Sequence, residues 1–303
     1  MSDAADLRRK LDSARELQSV VRSMKALAAA SVGQYERSLH ALVDYTRTVE
    51  LGLSLCLRER ARAAASDDQA ERTSPRAPAQ GPVRIRRAVV FGSDQGLIGK
   101  FNEVIVEHAL KELRAVPGTV RIWAVGERAG ERLRDAGVTP AGRFAVPTSV
   151  TAIARVVGQI LIETATDIAG SDQLDLQLFY NRPTSGASYE SFGQRLLPLD
   201  DAWQHSVAAL PWPGKSLPEV FGTDDSAVSG LIREHLFISL FRACTQSLAS
   251  ENASRLAAMQ RAEKNIDELL EDLHSSSQRQ RQTRIDEELF DVIAGFEALT
   301  PRA

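Results

Sequence analysis

Cysteine, histidine and aromatic side chains are all scarce in this 303-residue chain. Two cysteines, Cys56 and Cys244, cannot build a disulfide framework or a four-thiolate zinc site. The histidines, His40, His108, His205, His235 and His274, lie far apart and show neither H-x-x-x-H nor H-E-x-x-H spacing. Aromatic residues make up 6%, too few to suggest a platform for stacking bases. An excess of one charge is also lacking. Lys+Arg number 37 against 40 Asp+Glu, a net charge of −3, which argues against nucleic acid as the main partner. No apolar run approaches the ~18–20 residues of a membrane helix. The opening MSDAADLRRKLD has no apolar signal core, so the expectation is a mature chain that begins near Met1 and stays on the cytoplasmic side.

What the chain does have is heptad order at both ends. Stepping by sevens from Leu7 meets Ala14, Val21, Ala28, Tyr35, Leu42, Val49 and Cys56, all apolar or aromatic. A seven-residue repeat held that long predicts a left-handed supercoil with a partner helix. No proline interrupts it, and Gly33 and Gly52 are single costs of about 1 kcal/mol each. From Leu7 to Arg60 such a helix spans about 80 Å, too long to pack across one small core. A second repeat runs through Leu231, Ile238, Thr245, Asn252, Met259, Ile266 and Leu273, with the companion set Phe241, Leu248, Arg255, Ala262 and Leu269. Asp224, Asp225 and Ser226 are N-cap candidates for this helix. It would be about 110 Å long. Thr245, Asn252 and Arg255 are polar seam residues expected to cost stability and set register.

Between the helices the rhythm changes. Residues 61–82, rich in Ala, Ser, Pro and charge, are expected to be a flexible connection. Strands are expected at Val83–Val90, Val120–Val125, Leu174–Tyr180 and Leu196–Leu199, and helices at Asn102–Leu113, Glu127–Ala136 and Val150–Ile168. That alternation predicts an α/β layer. The expected fold class is therefore α/β plus a long antiparallel α-helical coiled coil. Its segments are an N-terminal helix at 1–60, a linker at 61–82, a central α/β domain at 83–224 and a C-terminal helix at 225–303.

Two stretches invite comparison with phosphate loops. Gly92–Lys100 follows a strand and precedes a helix, where such loops sit. Yet Lys100 is followed by Phe101, the glycines are misplaced for a Walker loop, and Asp94 would repel a pyrophosphate. A tight strand-to-helix turn fits better. Gly214-Lys215-Ser216 has Ala209 where a Walker loop needs its first glycine, and prolines on either side of Trp212. A surface turn fits better there too. Asp286, Glu287, Glu288 and Asp291 are expected to be a solvated helix face, because no oxygen-rich loop accompanies them. His235 falls on the apolar side of the C-terminal helix and is expected in a core, as are both cysteines. No nucleophile–base pairing shows a recognisable spacing, so the residues point to a non-enzyme built around a long coiled coil. The competing possibilities are a nucleotide-binding α/β enzyme with helical extensions and a free coiled-coil scaffold.

Three stretches carry a family resemblance. Leu7–Ser31 (LRRKLDSARELQSVVRSMKALAAAS), Ser93–Asn102 (SDQGLIGKFN), and Leu248–Leu273 together with Arg281–Leu299 resemble the γ subunit of F-type ATP synthases, the central rotor shaft. The family's loop is S-D-R-G-L-C-G-x-F-N, so Gln95 replaces an Arg and Ile98 a Cys. Asp286 and Glu287 stand where Thr and Gln are common. The stretch LFISLFRACTQSLASENASRLAAMQ is more similar to γ subunits of the alternate F-type ATPases that some bacteria carry beside their main one.

The resemblance implies a non-catalytic subunit of an ATP synthase that needs no cofactor of its own. It couples ion-driven rotation of a c-ring to conformational change at the catalytic sites of an α3β3 hexamer. The implied partners are the α and β subunits, the ε subunit and the c-ring, with membrane reached only through the c-ring, at the cytoplasmic face of a bacterial inner membrane. The implied subunit-contact residues are Arg8, Lys10, Met24, Arg255, Gln282 and Glu287, with Trp212 and Lys215 toward ε or the c-ring. The family pattern also puts Met24 near Arg255, which makes paired residue numbers sum to about 279 and sets Leu7 beside about residue 272. Beyond roughly Gln280 the last helix would continue alone into the hexamer's bore, carrying Ile285, Leu289, Val292, Ile293, Phe296 and Leu299.

Overall fold

The computed structural model describes residues 2–67, 85–165, 175–184, 188–199, 201–216 and 224–299. The elements are α1 (Ser2–Asp67), β1 (Arg86–Phe91), α2 (Phe101–Ala115), β2 (Val120–Val125), α3 (Glu127–Asp135), β3 (Gly142–Phe144), α4 (Val150–Ala165), β4 (Asp175–Pro183), β5 (Tyr189–Leu197), α5 (Asp201–Ala208) and α6 (Asp224–Leu299). The chain forms two compact units, Met1–Ala29 with Arg255–Ala303, and Ala30–Ser254.

In the first unit the two chain ends run antiparallel. The Gln18 amide donates to Asp267, and Arg22 and Lys25 both reach Glu263. Higher numbers on α1 thus meet lower numbers on α6. Leu11, Ala14 and Ala28 are buried along the α1 seam, and Met259 on α6. The paired numbers sum to 18 + 267 = 285 and 25 + 263 = 288, not 279. Leu7 accordingly lines a recess with Ser276, Arg279 and Gln280, beyond the expected residue 272. The difference of 6 to 9 is about one heptad, a slip that leaves an apolar seam matched with itself. Leu269, expected on the companion seam, is exposed.

The second unit holds a five-stranded sheet of order β3-β2-β1-β4-β5. β1 pairs in parallel with β2 and β4, β2 pairs in parallel with β3, and β5 joins β4 antiparallel. All six residues of β1 are buried because helices cover both faces of the sheet. On one face Val89, Phe91, Val125 and Leu178 pack with Ile153, Val157 and Ile160 of α4 and Leu240, Cys244 and Leu248 of α6. On the other, Val90, Ala124 and Phe179 pack with Ile105, Ala109 and Leu113 of α2 and Leu133 of α3. Burying one such side chain contributes ~1.5–3 kcal/mol before ordering costs. Val49 and Leu53 of α1 share a further cluster with Val207 of α5 and Ile238 of α6.

Several boundaries differ from the expectation. α1 runs to Asp67, so residues 61–67 of the expected linker are helical, an outcome their alanines favour. Residues 68–84, 166–168 of the expected helix from Val150, and 174 at the start of an expected strand lie outside the described residues, as do the side chains of Asp224–Ser226. The last strand begins at Tyr189, well before the expected Leu196, and ends at Leu197, two residues short of Leu199. β3 and α5 were not expected at all. Thr245 and Asn252 each bond a carbonyl one turn back on their own helix, Phe241 at 2.7 Å and Leu248 at 2.8 Å. In the first unit Gln18, Arg22 and Lys25 make polar contacts across the helix pair.

Candidate functional site

Two features stand out: the helix pair of the first unit and the strand-end loop of the second. Counting four residues on from each α1 seam position gives Leu11, Gln18 and Lys25. Polar groups thus replace apolar ones at two successive seam positions. On α6 they meet Asp267 and Glu263, at 2.5 Å for the Gln18 amide and 2.5 Å for the Lys25 ammonium. Arg22 adds a bond of 3.1 Å to Glu263. The hydrogen bond from Lys25 is the largest influence holding the Glu263 carboxyl below its ordinary range, and Arg22 acts in the same direction. Lys25 and Glu263 carry opposite charges, a signal present in the sequence, but Glu263 and Asp267 lie beside the α6 repeats and not on them.

Beyond this clamp the α6 surface changes character. Every residue from Gln278 to Ile293 is exposed, including Ile285, Leu289, Phe290, Val292 and Ile293. On α1, Leu17, Val20 and Leu27 are exposed as well, three and seven residues apart and so on one helix face. On α6, Ile285, Leu289 and Val292 follow one another at four and three residues and so share one helix face. Asp286, Glu287, Glu288 and Asp291 lie exposed among the apolar residues of α6, and Arg284 pairs with Glu288 at 3.5 Å. The side chains of Phe296 and Leu299 lie outside the described residues.

The sequence-predicted contact residues distribute as follows. Arg8 is exposed, and Lys10 pairs with Asp6 at 2.9 Å. Lys10 also lines the recess shared by Leu7, Arg279 and Thr283. Met24 and Arg255 are both half-buried, but the register opposes Met24 to the turn around Glu263, about two turns of α6 from Arg255. Gln282 and Glu287 are exposed on the α6 end. Trp212 is half-buried and Lys215 exposed in the segment that follows α5.

The strand-end loop is a built structure. β1 ends in Gly92, where a Cβ would lie 2.5 Å from both the Ala129 Cβ and the Asn102 Oδ1. Only glycine permits that approach. The Asn102 side chain accepts from the Ser93 backbone N–H at 2.9 Å and donates to the Ser93 hydroxyl at 2.9 Å. Asn181 donates to the Phe101 carbonyl at 3.0 Å and accepts from the Ser191 hydroxyl at 2.8 Å. Asp94 accepts from the N–H groups of Glu127, at the start of α3, and Val146, both at 2.9 Å. Its charge therefore sits at a helix N-terminus, where it is favoured. Open α/β sheets bind ligands in the crevice where strand order reverses. Here, near the switch point between β1 and β4, Asn102 and Asn181 are buried and their side chains are taken up by bonds to Ser93, Phe101 and Ser191. The loop is a strand-to-helix turn, and its Asp94 does structural work that the spacing alone did not reveal.

His235 is buried, with its ring 4.7 Å from that of Trp203, and both cysteines are buried. Burial pushes the Cys244 thiol far up and the His235 imidazole down. Among the described residues no three His, Cys, Asp or Glu side chains gather as a metal site, and no helix is long and apolar enough to cross a membrane.

The protein-family model described as ATP synthase matches residues 3–299. An ATP synthase gamma chain of Sinorhizobium medicae is 28% identical over 312 residues, covering 99% of this chain and 100% of its own length. One from Rhodospirillum rubrum is 26% identical over 310 residues, with coverage of 99% and 100%. Among solved structures, the rotor of the Euglena gracilis mitochondrial ATP synthase aligns with a TM-score of 0.58 at 17% identity, covering 94% of this chain and 99% of that one. A chain from the central stalk and c-ring of the Tetrahymena thermophila mitochondrial ATP synthase aligns at 0.53 and 22% identity, covering 80% and 99%. These two show a shared fold. With a family match over nearly its whole length and gamma-chain relatives matched end to end, the chain belongs to the ATP synthase gamma-chain family.

Proposed function

We propose that this chain is the central rotor shaft of an F-type ATP synthase, the alternate bacterial type. The observation that carries this is the antiparallel pairing of the two chain ends, clamped at Gln18–Asp267 and Lys25–Glu263, in a chain whose relatives are gamma chains over their full length. Two paired helices resist bending and untwisting better than one, so torque applied at one end reaches the other. Coupling of this kind links two distant sites through a stiff element, and each site biases the state of the other.

The partners are the α and β subunits, which sheathe the exposed apolar end of α6, together with the ε subunit and the c-ring. Arg8, Lys10, Met24, Arg255, Gln282 and Glu287 face the hexamer, and Trp212 and Lys215 face ε or the c-ring. The chain carries out no bond chemistry, and membrane contact runs only through the c-ring at the cytoplasmic face of a bacterial inner membrane. Ile285, Leu289 and Val292, exposed in the single chain, are the surface that an apolar sleeve would cover.

The test is co-expression with the α, β and ε subunits of the same organism. A stable complex whose ATP hydrolysis drives ion pumping only when this chain is present is the expected result. A chain that never copurifies with α and β, or that alone binds ATP with micromolar affinity by calorimetry, would overturn the proposal. Placement of the far contacts is tested by cross-linking from Trp212 or Lys215. Products with c or ε are expected, and products only with α or β would refute that placement.

A further inference from the structure

Within the unit Ala30–Ser254, α1, α6 and the segment after α5 enclose a groove of about 670 Å³. Its apolar surface comes from Leu42, Val43 and Leu51 of α1 and from Leu210 and Pro211 opposite. The opposite wall is held in place, because the Arg58 guanidinium donates to the carbonyls of Ala208 and Leu210. Val43 is 60% exposed, an open apolar side chain on the floor of a recess.

The charges on this groove are unbalanced. Arg47 and Arg242 line it, against the single carboxylate of Glu50. Arg242 donates to the Thr46 hydroxyl at 2.8 Å, a neutral acceptor. Among the described residues neither arginine is joined to a carboxylate. The uncompensated charge of Arg242 is felt nearby: after burial, it is the second influence disfavouring protonation of His235. The whole chain carries −3, so this is a basic apolar recess on an acidic protein.

We infer that the groove receives an amphipathic acidic segment from another subunit of the complex, with an apolar side chain on the Leu42–Val43 floor and a carboxylate about one helical turn away on Arg47 or Arg242. This rests on the chain's place in an ATP synthase complex. A planar guanidinium pairs with a carboxylate through two parallel bonds, and a partly dry recess strengthens them. An apolar anchor in a groove is the usual way a protein takes up an amphipathic helix. A basic segment is excluded by repulsion from two arginines, and a purely apolar one would leave both charges desolvated and unpaired.

The experiment places photo-reactive p-benzoylphenylalanine at Val43 in the full chain, within the complex assembled with its own subunits, and sequences the cross-linked peptide. The expected product is a peptide of another subunit with Asp or Glu within four residues of Leu, Ile, Met or Phe. Arg47 is exposed, so Arg47→Glu leaves the fold intact, and it should lower the yield by about fivefold or more. Arg47→Lys should keep most of it. Cross-links confined to this chain, to a second copy of it, or to a peptide without acidic residues overturn the inference, as does a yield unmoved by Arg47→Glu. Copurification with α and β is scored in parallel. An assembled complex without the expected product sinks the groove alone, whereas failure of the unaltered chain to assemble sinks the rotor proposal and the groove with it.

Discussion

Lys25 of α1 and Glu263 of α6 form an ion pair of 2.5 Å between residues 238 positions apart in sequence. Glu263 also takes Arg22, and Gln18 binds Asp267 one turn further along α6. These contacts are partly exposed, so each contributes little to stability. What they record is the register: Gln18 lies opposite Asp267, and Lys25 opposite Glu263.

The first prediction tests that register. Cysteines at Gln18→Cys and Asp267→Cys should be joined efficiently by a short bis-maleimide in the folded chain. The pair Leu7→Cys and Asp272→Cys should react several-fold less. Equal or better coupling of the second pair would put the helices about one heptad away from the observed pairing.

The second concerns Gly92. Gly92→Ala must push its new methyl against Ala129 and Asn102, and should cost about 1–3 kcal/mol in urea unfolding. Gly96→Ala in the same loop meets nothing within 4 Å and should change stability by less than about 0.5 kcal/mol. Similar losses at both sites would mean that the loop is not held as described.

The third concerns pH. Burial is the main cause that lowers the His235 proton affinity below its ordinary value near 6.5, and the Arg242 charge adds to it. Between the folded and unfolded values the unfolded chain binds more protons, so stability rises with pH there. The contribution of His235 is complete above about pH 6.5 and is lost as pH falls through the folded value. Urea unfolding followed by Trp203 fluorescence should weaken between pH 7 and 5, and His235→Phe should flatten that decline. An unchanged slope in the variant would remove His235 as its source.

The fourth concerns coupling. Met24 is half-buried at the turn where Arg22 and Lys25 grip Glu263. Met24→Lys adds a cation that competes for Glu263 and charges a surface that should slide against β. In the assembled complex, ion pumping should fall several-fold relative to ATP hydrolysis, with assembly retained. A constant ratio of pumping to hydrolysis would show that Met24 is not at a working contact.

Much of the fold was legible in the residues. A repeat of seven from Leu7 to Cys56 demanded a partner helix, and Leu231 to Leu273 supplied one. β2 lies where VRIWAV was expected to form a strand. Shorter pieces were not legible. β3 has three residues, too few for any period. β5 shows no clean alternation and carries Gly193 at its centre, and what holds it is pairing along β4, where Gly193 lies opposite Phe179. α1 continued through residues 61–67, which lack large apolar side chains but contain alanines that extend a helix at little cost.

The local sequence was sufficient for the longer elements that depend on near neighbours: the two long helices, α2 to α4, β1, β2 and β4, and the glycine turn after β1. It was not sufficient for matching parts far apart in the chain. An apolar heptad seam is nearly unchanged by a slip of seven residues, so the repeat alone admits several registers of α1 on α6. Side chains that meet only in the folded chain resolve the choice: Gln18 with Asp267, and Arg22 and Lys25 with Glu263. The same holds for Asn102 and Asn181, which are unremarkable polar residues in the sequence. Their bonds to Ser93 and Phe101 come together only because the sheet lays β4 against β1.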